Sequence, residues 1–382
     1  MRSIPLSLIV LSLMYCCKPS HNQIERRIED GIEIIVNHLE PADLKKKRIS
    51  YNLQEDLRMD LEALAYADLG VVKPEEAHAD SQGNIFIYDR RRASGYFIYK
   101  FDKTGRFVSY LGRCGQGPGE ISSFMAMGID SRDRLWVDDF GTKKIVFYRS
   151  SGEFIGETRY PPRWTNVTPL ENEGYVATGS GLEKSEVATG YHLRLYDAAF
   201  REIGLLDTYD NSRMIAGGRT TGTIPLLTWK TSKDKIYVGN EQRKYEILVY
   251  GLDGKLIRKI QKDLNPVRYP EEFIKDTDIM ARRRPELYSP TYMPPYNSFM
   301  VDDSGYLFVM TYERGRAPDE YLYDIFDEKG VFVGKVGLGL SGLLGRALNR
   351  LNSVIRQHRY YRLRLKQSDY YEIVVYRLER KR

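Results

Sequence analysis

The sequence has too few cysteines to build a disulfide framework. Only three occur among 382 residues, Cys16, Cys17 and Cys114, whereas small disulfide-stapled scaffolds need several pairs. The fold must therefore be stabilised by a hydrophobic core. Hydrophobic residues make up 42% of the chain and charged residues 29%, a composition typical of a folded domain with a large core.

Histidine is also scarce, and the linear motifs of catalytic and metal sites are missing. The five histidines lack the close spacing that zinc ligands commonly show; they are His21, His38, His78, His192 and His358. The acid pairs Asp138-Asp139 and Asp302-Asp303 are adjacent in sequence, so on a strand their side chains point to opposite faces. The sequence therefore predicts no catalytic residue, no metal ligand and no cofactor, and favours a protein that is not an enzyme.

The apolar run at the N-terminus is too short to span a membrane. Residues 4–15 are mostly apolar, whereas a transmembrane helix needs about 20 apolar residues. Preceded by Arg2, the segment has the proportions of a secretory signal peptide. We expect residues 1–17 to direct export to the cell envelope.

The end of this segment resembles a bacterial lipoprotein signal, in which a cysteine becomes the lipidated first residue of the mature chain. Leu13 lies three residues before Cys16, as that signal prefers, but Tyr15 is bulkier than the small residue usual beside the cysteine. The resemblance implies that Cys16 or Cys17 carries the lipid, with residues 18–30 as a tether to the periplasmic or surface side of the membrane. A plain signal peptide is the alternative.

Neither sign of charge is strongly in excess. The chain has 58 lysines and arginines against 52 acids, a formal net charge of +6. This mild basic excess is compatible with anionic partners but does not require them. No long run of like charge indicates a nucleic-acid tail, and an exported protein of this composition is not expected to bind nucleic acid.

What the sequence does contain is a repeat. A polar turn followed by an apolar strand recurs in five places, as DSQGNIFIYD (80–89), DSRDRLWVDD (130–139), ENEGYVATGS (171–180), TSKDKIYVGN (231–240) and DDSGYLFVMT (302–311). A strand, a tight turn and another strand follow each of them. An aromatic residue occupies the same place in six such units, at Phe101, Tyr148, Tyr196, Tyr250, Phe326 and Tyr376. The pattern predicts an all-β fold, a six-bladed β-propeller of four-stranded antiparallel blades.

The two ends of the chain predict how the ring closes. Residues 353–382 have room for only three strands, and residues 31–39 (GIEIIVNHL) form an isolated strand before the first unit. We expect this N-terminal strand to complete the last blade, because closure removes two exposed sheet edges. The propeller would then cover residues 31–382.

Two segments fall outside the blade pattern. Residues 40–76 are a predicted linker arm, for which a short helix or an irregular packed arm is expected; its leucines have helical spacing at Leu53, Leu57, Leu61 and Leu64. Residues 263–297 are an insertion between blades four and five, with a predicted helix that begins near Pro270 and ends near Pro285.

With these repeated segments, the chain resembles the NHL-like six-bladed β-propellers found as exported or lipid-anchored bacterial proteins. The resemblance covers residues 31–382 and is carried by FDKTGRFVSYLGRCGQGPGE (101–120), IDSRDRLWVDDFGTKKIVFYRSSGEFI (129–155) and VDDSGYLFV (301–309). It implies the fold, whereas function has to be argued from a site. Related propellers include metal-dependent enzymes, so a lyase or hydrolase with metal ligands from separate blades is the alternative to a binding protein.

Basic residues recur in the loops that join the second and third strands of the blades. In propellers these loops emerge on one face together with the blade-to-blade connections, so the sequence predicts a basic rim for an anionic glycan, a peptide or an envelope protein. Acidic residues in the same loops favour a second interpretation, a solvated surface of mixed charge. The predicted rim residues are Arg90, Arg91, Arg92, Arg113, Lys143, Lys144, Arg243, Lys244, Arg282, Arg283, Arg284, Arg314 and Arg316.

Overall fold

The protein, in a computed structural model, forms six β-sheets arranged as the blades of a propeller. The structure describes residues 24–38, 50–180, 190–210, 215–216, 219–221, 227–271, 287–288, 290–339 and 353–381. The six four-stranded antiparallel blades confirm the fold class that the repeat predicts.

A hairpin, a strand and a short helix precede the first blade. A hairpin is formed by β1 (Ile24–Glu29) and β2 (Ile32–Asn37), and it is followed by strand β3 (Ser50–Asp60) and the single-turn helix α1 (Leu64–Ala67). Blade one then contains β4 (Pro74–Ala79), β5 (Ile85–Asp89), β6 (Tyr96–Phe101) and β7 (Phe107–Arg113).

The next two blades follow the same order from the channel outwards. Blade two contains β8 (Phe124–Ile129), β9 (Leu135–Asp139), β10 (Lys144–Tyr148) and β11 (Phe154–Arg159). Blade three contains β12 (Trp164–Pro169), β13 (Tyr175–Ser180), β14 (Gly190–Tyr196) and β15 (Glu202–Asp210). Two short strands come next, β16 (Ile215–Ala216) and β17 (Arg219–Thr221).

The C-terminal half supplies the other three blades. Blade four contains β18 (Leu227–Ser232), β19 (Lys235–Asn240), the 3-10 helix Glu241–Arg243, β20 (Glu246–Gly251) and β21 (Leu256–Lys262). Strand β22 (Leu287–Tyr288) pairs with β17 in a small separate sheet. Blade five contains β23 (Ser298–Val301), β24 (Leu307–Arg314), β25 (Glu320–Phe326) and β26 (Phe332–Gly339), and blade six contains β27 (Ser353–Arg356), β28 (Arg359–Leu365) and β29 (Tyr371–Lys381).

An aspartate shapes the turn between the first and second strands of a blade. In blade one, Asp80 Oδ1 accepts hydrogen bonds from the backbone N–H groups of Gln82 and Asn84, both at 2.9 Å, and Asp302 accepts an equivalent pair in blade five. Gly83 has φ = 84°, which a residue with a side chain rarely adopts. This local chemistry explains why the DSQGN-type phrases recur along the sequence.

The prediction that residues 31–39 close the ring is wrong. The fourth strand of blade six is β3, which pairs antiparallel with β29 from Asp60↔Glu372 to Ser50↔Lys381. Met59 is fully buried and Leu61 nearly so, because apolar side chains at alternate positions of a strand face the same side. An N-terminal strand does complete the last blade, but it lies inside the predicted linker arm of residues 40–76, which also contains the single-turn helix α1.

The strand that was expected to close the ring instead extends blade four. Strand β2 pairs in parallel with β21, and β1 lies outside it, so this sheet has six strands. The predicted tether at residues 18–30 is therefore partly a strand. Asn37 explains the position of β2, because its amide donates to the carbonyl of Gly330 at 3.0 Å and its Oδ1 accepts from the N–H of Phe332 at 2.8 Å. The hairpin thus joins blade four to blade five.

Candidate functional site

A cavity of about 570 Å³ lies along the axis of the propeller. The innermost strands of all six blades line it, namely β4, β8, β12, β18, β23 and β27. Its volume lies in the range of small-molecule sites, about 300–1,000 Å³. The central channel is therefore the candidate site that the structure presents.

On β4, strand alternation decides which side chains reach the cavity. On β4, Glu76 and His78 line the cavity, whereas Ala77 and Ala79 pack in the core between blades. On β8 and β18, by contrast, consecutive residues line the cavity. The ring nitrogen of His78 lies 3.8 Å from the carboxylate of Glu76, which is itself largely buried.

Two tryptophans form part of the wall. Trp136 lies on β9, and a Cβ atom placed on Gly128 would be only 2.6 Å from its ring. Glycine at this position therefore allows the indole to lie against the backbone of β8. Trp229 on β18 donates its ring N–H to Thr168 Oγ1 at 3.1 Å, which fixes the second indole in the wall.

Neutral polar side chains from blades three and four complete the wall. Asn166 Nδ2 donates to Thr178 Oγ1 at 3.4 Å, and Thr228 and Ser232 lie on β18 beside Trp229. Among the residues that the structure describes, no side-chain hydrogen bond involves Thr228 or Ser232. These groups give the wall donors and acceptors without charge.

The mouth of the cavity is formed by the turns between first and second strands. Arg356 of blade six reaches Asp133 of blade two, with 2.8 Å between the guanidinium and the carboxylate. Asp133 also accepts from the N–H of Ser81 at 2.9 Å, and Asp303 accepts from the N–H of Gln357 at 3.2 Å. These contacts join blades five, six, one and two around one side of the mouth.

One carboxyl group at the mouth has a strongly perturbed pKa. Burial raises the pKa of Asp302 to about 6, although the N–H groups of Tyr306 and Ser304 favour its charged form. Within the described ranges, no three His, Cys, Asp or Glu side chains lie together as a metal-binding group.

The predicted basic rim lies away from this cavity. Successive turns of an antiparallel meander alternate between its two ends. The loops between second and third strands therefore lie at one end of each blade, and the turns between first and second strands, which form the mouth, lie at the other. None of the predicted rim residues within the described part of the chain lines the cavity. The structure therefore separates the predicted rim from the candidate site.

Three of the predicted rim residues are held by contacts within the protein. The ammonium group of Lys144 is fully buried and lies 2.9 Å from the carbonyl of Gly117 and 2.8 Å from Glu157. Arg243 pairs with the buried Asp207. Lys143 donates to the carbonyl of Trp164 at 3.2 Å, and desolvation lowers its pKa. These contacts stabilise blade connections.

The other described rim residues are at the surface. Arg90 pairs with Glu75 at 3.1 Å, Arg92 lies 4.9 Å from the ring centre of Phe97, and Arg314 lies 4.5 Å from that of Tyr321. Four more are exposed, namely Arg91, Arg113, Lys244 and Arg316. Arg282, Arg283, Arg284, Cys16 and Cys17 lie outside the described residues. A ligand role for the surface residues stays a prediction.

Sequence reasoning missed the residues that line the channel. Trp136, Trp229, Asn166 and Thr228 belong to no motif, and they come from three strands, β9, β12 and β18. For Trp229, Asn166 and Thr228 the signal that would have found them is their place in the repeat, because the first strand of every blade faces the axis of a propeller; Trp136 lies on a second strand, β9, and that signal does not reach it.

Comparison with known proteins gives the same fold. Residues 77–218 match the model of the DUF5128 family, which is described as a 6-bladed beta-propeller. The NHL-like resemblance is confirmed. NHL repeat-containing protein 3 of Homo sapiens is 30% identical over 84 residues, which are 22% of this chain and 24% of that protein. The match thus spans less than a quarter of either protein.

Two crystal structures share the architecture over most of the chain. One, from Bacteroides fragilis, has 14% identity and a TM-score of 0.51 and covers 91% of this chain and 99% of its own. The other, a DUF4221 family member from Bacteroides vulgatus, has 13% identity and a TM-score of 0.52 and covers 88% and 99%. At these identities the likeness establishes the fold alone. In the described part of the chain, no helix has the length and apolar character needed to cross a bilayer.

Proposed function

We propose that the protein is a ligand-binding propeller of the bacterial cell envelope and that its ligand is held in the central channel. The observation that carries the proposal is the cavity of about 570 Å³, whose wall combines two indoles with neutral polar side chains. Binding sites of this kind are mostly apolar and contain a few placed polar groups. We place the ligand in the channel and not on the basic rim, because the cavity is enclosed by all six blades, whereas three of the rim cations, Lys143, Lys144 and Arg243, are held by contacts within the protein.

Filling the channel tests its role as the binding site. Replacing Ala126, which lines the cavity, with phenylalanine should abolish ligand binding without unfolding the protein. In a thermal-shift screen against sugars, amino acids, short peptides, nucleosides and fatty acids, at least one class should raise the Tm of the wild type. A ligand at a hundred times its Kd stabilises a protein by about 2.7 kcal/mol, which such a screen detects.

The matched control is Ala199→Phe. Ala199 is exposed in a turn at the outside of blade three, so the same change there should leave the ligand shift intact. Two results would count against the channel: no compound class shifts the wild type, or the shift persists in Ala126→Phe.

The envelope location rests on the N-terminal signal. The related Bacteroides fragilis structure is provisionally described as that of an exported protein, which is consistent with export of this chain. When Cys16 and Cys17 are replaced one at a time with alanine, one of the two variants should lose palmitate labelling and keep its signal peptide. The other variant should be labelled and processed like the wild type. An unlabelled wild-type protein would indicate a plain signal peptide.

A further inference from the structure

Several charged groups around the channel already have partners within the protein. Asp130 pairs with Arg134 at 2.7 Å, and Glu171 accepts from the N–H of Ser131 at 2.7 Å. Arg356 pairs with Asp133, as described above. A ligand that needed these charges would have to break contacts that hold neighbouring turns together. The groups that are available to bind a ligand are therefore mainly the uncharged side chains of the wall.

The charges that line the channel also disfavour an anion. Five acidic, three cationic and one histidine side chain line the channel; the acids are Glu76, Asp130, Glu171, Asp302 and Asp303, the cations are Lys230, Lys233 and Arg356, and the histidine is His78. A narrow site with a surplus of one sign repels ligands of that sign. This is the opposite of the anionic ligand that the basic rim suggested.

The groups that remain for a ligand are neutral. The hydroxyls of Thr228 and Ser232 and the amide oxygen of Asn166 have no side-chain partner among the described residues, and all three line the cavity. A hydroxyl both donates and accepts, and an amide oxygen accepts. This set matches the hydroxyl groups of an uncharged sugar, which also donate and accept.

The two indoles supply the second element of such a site. Gly128 holds the ring of Trp136 against the strand backbone, and Thr168 fixes Trp229 through its ring N–H. Tryptophan combines a broad apolar face with a polar edge. An apolar face beside neutral donors and acceptors fits a pyranose ring, which has C–H groups on its faces and hydroxyls around its edge.

We propose that the channel binds a short neutral oligosaccharide. The inference rests on the proposed function, since it names the ligand class of the same cavity. The indoles would contact the sugar rings, and Asn166, Thr228 and Ser232 would exchange hydrogen bonds with the hydroxyl groups. The carboxyl surplus would exclude oligosaccharides that carry uronic acids or sulfate.

The experiment compares sugar probes on the mature chain. Neutral hexose and N-acetylhexosamine oligosaccharides, uronic acid oligosaccharides and a lysine-rich peptide are titrated by calorimetry and by tryptophan fluorescence. At least one neutral oligosaccharide should bind and change the tryptophan emission, with uronic acid oligosaccharides of the same length at least tenfold weaker. Thr228→Val together with Ser232→Ala should weaken the neutral sugar about tenfold, which corresponds to 1.4 kcal/mol.

Two further variants keep the result interpretable. Gly128→Ala should displace Trp136 and reduce both the affinity and the fluorescence change, whereas Thr104→Val, in an exposed outer turn of blade one, should alter neither. Tighter binding of uronic acids or of the peptide, or full binding by the Thr228→Val, Ser232→Ala protein, would overturn the sugar assignment.

The failure of this inference differs from the failure of the proposed function. If only non-sugar compounds shift the wild type and Ala126→Phe abolishes that shift, the channel binds a ligand but the sugar assignment is wrong. If no compound of any class binds in the channel, both are wrong.

Discussion

A chain that starts at residue 62 will fail to form a stable propeller, whereas a chain that starts at residue 48 will still fold. The first lacks β3 and leaves blade six with three strands and an open edge along β29. It also loses Met59 and Leu61, which are buried, and burial of such side chains stabilises a fold by roughly 1.5–3 kcal/mol each. Together with the lost pairing of β3 with β29, the deletion lowers the free energy of unfolding by more than about 5 kcal/mol, which is comparable to the whole net stability of many domains.

Urea denaturation followed by circular dichroism, together with size-exclusion chromatography, measures this difference. The chain that starts at residue 48 lacks only the hairpin of β1 and β2 and should unfold cooperatively at a lower urea midpoint than the chain that starts at residue 24. If residues 31–39 closed the ring instead, the chain that starts at residue 48 would already be unfolded.

Replacing Asp139 with alanine should lower the free energy of unfolding by about 3–5 kcal/mol, because a buried carboxylate that accepts several hydrogen bonds would be lost. Asp139 is fully buried at the end of β9. Its carboxylate accepts from the N–H groups of Ser122 and Ser123 at 3.0 and 2.8 Å and from Thr142 Oγ1 at 2.5 Å. One side chain thus holds the crossover into blade two.

Chemical denaturation of two further variants checks this explanation. Asp139→Asn keeps one acceptor oxygen and should lose less stability than the alanine variant. Asp253→Ala removes an exposed aspartate that accepts from Lys255 N–H in an outer turn, and it should cost less than about 1 kcal/mol, as most surface substitutions do. Equal losses for Asp139→Ala and Asp253→Ala would contradict a role for burial.

The blade architecture could be predicted because its signals are local. Asp80 and Gly83 specify a turn through bonds and backbone angles within five residues, and the apolar run behind them specifies a strand. Aromatic residues at the third strand, such as Phe101 and Phe326, are fully buried between blades. Five repeats of the turn and strand, with the aromatic position repeated in six units, leave a propeller as the simplest arrangement.

The strand that closes the ring could not be predicted correctly from local sequence patterns. In the segment around residue 57, leucines four apart suggest a helix, while Leu57, Met59 and Leu61 also alternate as in a strand. Local periodicity supports both a helix and a strand, and only the presence of a strand to pair with decides between them. Here the free edge of β29 takes up β3 through ten paired positions, which outweighs the helical spacing of the leucines.

The sequence by itself determined the fold class, the number of blades and the turns within them, because these depend on contacts between residues close in the chain. The tertiary structure decided which strand closes the ring, which end of the channel forms the mouth and which polar groups remain for a ligand. The physical reason is that the channel wall is assembled from six strands distant in sequence, each of which contributes only a few side chains. Whether a lysine or an aspartate there is available or already paired depends on neighbours that only the closed ring brings together.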